Sequence, residues 1–158
     1  MSPLFKPVYK FLKSTSNRSF FVYPLVILLW EFWARGGKLV IEPVYLLLMV
    51  WGYGQYRFGG RYRTRIGGGG PGLEKPPERL VTSGIYGYTR NPMYLGHIIF
   101  LTGLTLTLNS LPAAILTVAT AVWFHYRVVE NERQLVELFG ESYLTYKKQV
   151  KRWIPGLF

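Results

Sequence analysis

Cysteine is absent from this 158-residue chain, which excludes a disulfide framework, a thiolate metal site and a cysteine nucleophile, and leaves the redox compartment unread. Acidic side chains are scarce, with 8 Asp and Glu against 19 Lys and Arg, a formal net charge of +11. Histidine occurs only at His97 and His125. Phosphate-cradling glycine signatures are missing as well. The run Gly67-Gly68-Gly69-Gly70-Pro71-Gly72 forms neither a G-x-G-x-x-G unit nor a Walker lysine loop, so it reads as a flexible linker.

What the chain does have is apolar surface: 49% of its residues are hydrophobic and 17% aromatic. The apolar residues form runs, at 20–30, 45–51 and 98–108, more continuous than the stripe of a surface helix. Such runs belong in lipid. The positive charge is interleaved with them, which points to an anionic membrane surface rather than nucleic acid, since a soluble nucleic-acid binder has no use for the runs. Residues 1–19 carry Lys6, Lys10, Lys13 and Arg18 ahead of an apolar segment, as a signal peptide does, but no small-residue cleavage site follows. A retained first span is therefore expected, with Phe5, Val8, Phe11 and Leu12 in the interface.

Four spans are predicted, at 20–34, 39–56, 93–108 and 111–129, each near the lower limit that about 30 Å of hydrocarbon sets. Gly36-Gly37 and Asn109-Ser110-Leu111-Pro112 are helix-ending chemistry and turn the spans into two hairpins. The expected fold is all-α and polytopic, a single domain over 1–158. It comprises an interfacial arm at 1–19, a first hairpin at 20–56, a cytoplasmic linker at 57–79 and a core at 80–155. The core holds the second hairpin and a C-terminal amphipathic helix, interrupted at Gly140. Lys and Arg concentrate in the arm, the linker and the tail, which an even span count places on one side; the positive-inside tendency makes that side cytoplasmic, with both termini. Trp30, Trp33, Trp51 and Trp123 suit interfacial anchors.

Two blocks carry the chemistry. One runs from Leu80-Val81 through Gly84, Tyr86 and Tyr88 to Arg90-Asn91-Pro92-Met93-Tyr94; the other runs from Arg127 through Glu130-Asn131-Glu132 to Phe139-Gly140 and Tyr143. The first ends where span three starts and the second starts where span four ends, so both reach the cytoplasmic rim. Asn91-Pro92 is a helix start, whose amides either just begin a span or receive a carboxylate or phosphate. Tyrosine faces suit a sulfonium or an adenine, carboxylates an ammonium or ribose hydroxyls, and Arg a carboxylate. His97, one turn into span three, either packs there or deprotonates an amine acceptor. Glu31 and Glu42 lie toward the opposite rim, where they are interfacial or paired.

The two blocks, in this order and separated by one apolar hairpin, resemble the isoprenylcysteine carboxyl methyltransferase family and its phospholipid methyltransferase relatives over residues 76–155. The shared pattern is Leu-Val-x-x-Gly-x-Tyr, then Arg-His/Asn-Pro-x-Tyr, then a Glu pair followed by Phe-Gly-x-x-Tyr. The resemblance implies an integral membrane enzyme that uses S-adenosylmethionine, a pocket closed by the C-terminal segment, and a lipid or lipidated substrate entering from the bilayer. It implies cofactor contacts at Leu80, Val81, Tyr86, Arg90, Asn91, Pro92, Met93 and Tyr94, and at Glu130, Asn131 and Glu132. Arg127 falls on a position implicated in substrate; Arg127 and Glu132 are the catalytic candidates, His97 joins Arg127 on the substrate side by its place one turn inside span three, and transfer of an activated methyl calls for no metal. Asn131-Glu132 stands where the family has a Glu pair, so the acidic contact falls to Glu130 or Glu132, or becomes an amide contact at Asn131. A sterol-reductase-like NADPH enzyme shares a similar Arg-His-Pro-x-Tyr element and is the alternative, with a non-enzymatic membrane module as a third reading.

Overall fold

The structure, a computed structural model, describes residues 5–70 and 75–154, with backbone only at 5–7. The calls on residues 1–4, Pro71, Gly72 and Pro155, and on the Phe5 side chain, lie outside the described residues. Among those described, every regular element is helical. In order they are α1 (Phe5–Lys13), α2 (Thr15–Asn17), a π turn (Arg18–Val22), α3 (Tyr23–Ala34), a 3-10 turn (Pro43–Tyr45), α4 (Leu46–Gly67), a 3-10 turn (Gly84–Gly87), α5 (Pro92–Leu108), α6 (Leu111–Phe139) and α7 (Glu141–Gln149).

The apolar runs become helices whose outward faces stay apolar. Leu25, Leu29 and Trp33 of α3 are exposed, as are Leu47, Val50 and Trp51 of α4 and Leu111, Ile115 and Val118 of α6. Water does not favour apolar faces of this extent, and lipid does. Among the described residues one helix, α6, is long and apolar enough to cross a membrane, and α5 is a shorter apolar helix.

Three boundaries differ from expectation. Helix does not begin at residue 39: Pro43 holds Glu42 in extended backbone, and the Glu42 N–H donates to the Thr107 carbonyl at 2.8 Å instead. At its other end α4 does not stop at Tyr56 but continues through the arginine-rich stretch to Gly67. Its buried side there is Gly59 and Gly60, and a Cβ on Gly59 would stand 3.4 Å from Met93 Cγ, so α5 begins in close contact with this part of α4. Finally, α6 is continuous from the apolar stretch into the polar one, ending only at Gly140, whose φ of 52° and ψ of −130° suit glycine alone.

Nor does the glycine run behave as a free linker. Gly67 accepts hydrogen bonds from Glu78 N (2.7 Å) and Arg79 N (3.0 Å), and Gly70 N donates to the Lys75 carbonyl at 2.9 Å. The returning chain passes so close that a Cβ on Gly69, at φ +67°, would collide with the Pro76 carbonyl. The glycines permit a tight backbone crossing.

The described chain divides into two compact units, residues 1–53 with 97–118, and residues 54–96 with 119–158. In the first unit, the 109–112 joint is tied to α3. Ser110 caps α6 by accepting the Ala113 N–H at 3.1 Å and donates its own hydroxyl to buried Glu31 at 2.6 Å. The other Glu31 oxygen pairs with Arg35 at 2.7 Å, and Arg35 also donates to the carbonyls of Leu108 and Asn109. Glu31 is thus paired. Replacing Ser110 with alanine removes the cap and leaves a buried carboxylate oxygen short of a donor, so a loss of about 1–3 kcal/mol is expected. Thermal unfolding in detergent measures it, and an unchanged midpoint would contradict the role given to the hydroxyl.

Candidate functional site

The second unit contains nearly all of the two blocks, and it is built around one carboxylate. Glu132 lies three residues past the apolar stretch 111–129 of α6 and is 2% exposed. An uncompensated charge there would be costly, so cations converge on it. Arg90 approaches its Oε1 through Nε (3.0 Å) and Nη2 (2.9 Å). Arg152 spans both oxygens, with Nε 3.2 Å from Oε1 and Nη2 2.9 Å from Oε2, and Lys147 Nζ stands 3.8 Å away. Burial alone would raise the Glu132 pKa, but hydrogen bonds and charge from Arg152 and Arg90 outweigh it and hold the carboxyl below its ordinary value of 4.5.

Arg90 also donates through Nη1 to the carbonyls of Lys147, at 3.0 Å, and Val150. Its backbone N–H reaches the Lys151 carbonyl at 3.0 Å. Thr89 Oγ1 (3.1 Å) and Asn91 Nδ2 (3.3 Å) both donate to the Arg152 carbonyl. Three consecutive residues therefore bind the segment after α7. Below them Tyr143, Tyr146 and Val150 form a buried cluster, against which Leu80, Leu135, Val136 and Phe139 pack. Tyr146 donates its hydroxyl to the Tyr86 carbonyl at 2.6 Å, and Tyr86 in turn donates to the Gly59 carbonyl at 3.3 Å. Burial, opposed by the charge of Arg63, pushes the Tyr86 phenol up to about 12, so it stays a donor at every physiological pH.

Tyr94 and Asn131 meet beside this clamp. The Asn131 amide donates to the Tyr94 hydroxyl at 2.9 Å, and the Tyr94 ring lies against that of fully buried Phe124, with centroids 4.9 Å apart. The arrangement offers an aromatic face, a phenol and an amide oxygen at one place. One turn before Asn131, the exposed Arg127 guanidinium lies over the Trp123 ring, 5.5 Å from its centroid.

The residues singled out from sequence are thus distributed among several places. Tyr86, Arg90, Asn91 and Glu132 belong to the clamp, with Leu80 in the cluster beneath it; Tyr94 and Asn131 are paired; Val81 is buried beside the glycine crossing, close to Gly67; Pro92 and Met93 pack on α4 at Gly59. Glu130 faces away, bridging exposed Arg133 at 2.9 Å. His97 lies in the first unit, 3% exposed and stacked on the Phe20 ring at 4.5 Å. Sequence reasoning missed Arg152, Lys147 and Thr89. A buried Glu needs cations, but many cationic residues follow it, and nothing local marks Arg152 as the partner.

The chain matches the phospholipid methyltransferase family over residues 43–142. It is similar to protein-S-isoprenylcysteine O-methyltransferases, with 38% identity over 78 residues to that of Schizosaccharomyces pombe, covering 48% of this chain and 33% of the relative. To that of Homo sapiens it is 40% identical over 78 residues, covering 48% and 27%. To methanethiol S-methyltransferase 1 of Bradyrhizobium diazoefficiens it is 33% identical over 85 residues, covering 53% and 29%. The matched segment thus spans a third or less of the length of each of these curated relatives.

Proposed function

The chain belongs to the phospholipid methyltransferase family, and from that premise we propose that it transfers a methyl group from S-adenosylmethionine to an acceptor held in the bilayer, at the cytoplasmic face. The family match carries this reading, because it spans both chemical blocks up to residue 142. Four spans, at the helices containing 20–34, 46–56, 93–108 and 111–129, would bring the basic arm, the 57–91 stretch and the tail to one side.

The side chains at Tyr94 suit this cofactor. The half-buried Tyr94 ring, backed by buried Phe124, provides a face for a sulfonium or an adenine. The Asn131 amide oxygen remains available to accept from an ammonium or a hydroxyl, in place of the acidic residue usual in the family. Glu132, with both oxygens occupied by guanidinia, acts as a positioning residue: it fixes Arg90, and through Asn91 and Pro92 the entry into α5. The cofactor, when bound, supplies an already activated methyl on a sulfonium sulfur. The protein's task is then to align the acceptor and exclude water.

Arg127 favours a carboxylate as acceptor, since its guanidinium makes no ion pair among the described residues and carboxylates are its natural partners. A carboxylate needs no base, whereas an amine must first lose a proton, and His97 is buried and stacked on the Phe20 ring. The carboxylate of a thioether-linked prenylcysteine fits this description.

Calorimetry on the detergent-solubilised chain is the test. Heat on adding S-adenosylmethionine is expected, with Tyr94→Ala binding at least about 10-fold more weakly, since it loses both an aromatic face and a hydrogen-bond partner of Asn131. No heat from monodisperse wild type would overturn the function, and equal affinity in Tyr94→Ala would overturn the site.

A further inference from the structure

The second half of α4 holds four arginines, Arg57, Arg61, Arg63 and Arg65, and no acidic residue. Arg57, Arg61 and Arg65 recur at every fourth position, so their side chains rise along one edge of the helix. All three are exposed, and none forms an ion pair among the described residues. Like charges at this spacing repel and destabilise a helix. A ligand that neutralised them would remove that cost.

A space for such a ligand is present. The three arginines border an open groove of about 360 Å³, with Gly60, Thr64 and Met93 also in its lining. The missing side chain at Gly60 lowers the floor of the groove between Arg57 and Arg61. Met93 and Tyr94 are successive residues of α5 and so project about 100° apart. Met93 faces α4 and the groove, whereas Tyr94 faces Asn131 on α6. None of Tyr94, Phe124 and Asn131 lines the groove.

One position round the helix from the arginines runs a second ladder, Phe58, Tyr62 and Ile66, of which Phe58 is 57% and Ile66 45% exposed. An apolar rail beside a guanidinium rail matches a molecule with an anionic head and hydrocarbon chains. A free anion has no use for the apolar rail. A zwitterionic head brings a cation toward the arginines, while a singly negative phosphodiester does not, and guanidinium groups match phosphate oxygens in a bidentate manner.

We propose that this groove is a binding site for the phosphodiester head group of an anionic membrane lipid, of the phosphatidylglycerol type, with its acyl chains along Phe58 and Ile66. The site anchors the second half of α4 at the membrane surface and works independently of methyl transfer.

Native mass spectrometry of the full chain released from detergent tests this, with dioleoyl phosphatidylglycerol, dioleoyl phosphatidylcholine and inorganic phosphate as probes. Wild type should retain phosphatidylglycerol in preference to phosphatidylcholine. The variant R57Q/R61Q/R65Q should bind it about 100-fold more weakly and R61Q about 5-fold, from about one basic contact's worth of attraction per residue. Because all three side chains are exposed, the variants should stay monodisperse. R57K/R61K/R65K retains the charge and should retain the preference, and K148Q on α7 should behave as wild type. Equal retention of the two lipids by wild type, or an undiminished preference in the triple glutamine variant, would overturn the proposal. Displacement of the lipid by millimolar inorganic phosphate would also overturn it, by assigning the groove to a soluble anion.

Discussion

Glu132→Ala is expected to destabilise the protein by about 3–5 kcal/mol, the usual consequence of leaving a buried charge without its partner. Two guanidinia are involved. Arg90, with 7% of its side chain exposed, and Arg152, with 26%, would both lose the carboxylate that neutralises them. The segment after α7 should then detach, and limited proteolysis near Arg152 should become rapid while α5 and α6 persist. Glu132→Gln keeps the shape and two hydrogen-bonding atoms but not the charge, so it should fall between alanine and wild type. Acid should act as the mutation does, in a definite direction. The Glu132 carboxyl is held below its ordinary 4.5, so the stabilisation is complete above that pH and is lost as pH falls through the lower value of the folded state. Urea midpoints measured across the acid range check this: wild type should lose stability below pH 4.5 more steeply than Glu132→Gln. If Glu132→Ala unfolds like wild type at neutral pH, the clamp is not structural.

Arg127→Ala is expected to lower kcat/KM for a carboxylate acceptor about 100-fold, the loss of one charge-assisted contact of about 2–3 kcal/mol, while leaving the S-adenosylmethionine affinity unchanged. The split between the two measurements is what separates an acceptor contact from a cofactor contact. Lysine at this position should recover only part of the loss, since it keeps the charge but not the planar fork. Arg127 is exposed, lies over Trp123 and forms no ion pair among the described residues, so a general collapse of the fold is not the expected outcome. A fall in cofactor affinity equal to the fall in kcat/KM would move Arg127 to the cofactor. Undiminished activity toward a carboxylate would remove Arg127 from the acceptor site.

Much of the architecture was legible in local chemistry. The apolar runs marked α3, α5 and the first part of α6, and Gly36-Gly37, Asn109-Ser110 and Gly140 marked helix ends where the structure has them. Asn109 at φ 44° and Gly140 at 52° are the conformations those residue types permit. What misled was charge. Residues 57–67 read as the start of a linker because the apolar run ends at Tyr56, although arginine is also a good helix former, and the buried side of that helix consists of glycines with no apolar signal. The glycine run likewise reads as flexible until the backbone passing it at Pro76 is seen, and that neighbour is a tertiary fact.

The candidate site was legible as residue types and not as partnerships. Glu130, Asn131 and Glu132 are adjacent in sequence, but successive helical residues point about 100° apart, so they face an exposed arginine, a tyrosine hydroxyl and a buried pair of guanidinia respectively. No pattern along the chain distinguishes them, because each partner comes from elsewhere in the chain or from a different turn.

The clamp also orders events in time. Its bonds join residues 60 and 63 positions apart, Arg90 to Val150 and Thr89 to Arg152, whereas the backbone bonds within α5 and α6 join residues about four apart. Contacts that close long loops are made after short ones, since the chain must give up more freedom before they return anything. Helices α5 and α6 can therefore stand as a hairpin before the last segment arrives, and interactions formed so late act mainly on the rate of departure. The strength of the Glu132 cluster therefore bears more on how slowly the tail leaves its seat on unfolding than on how fast it arrives.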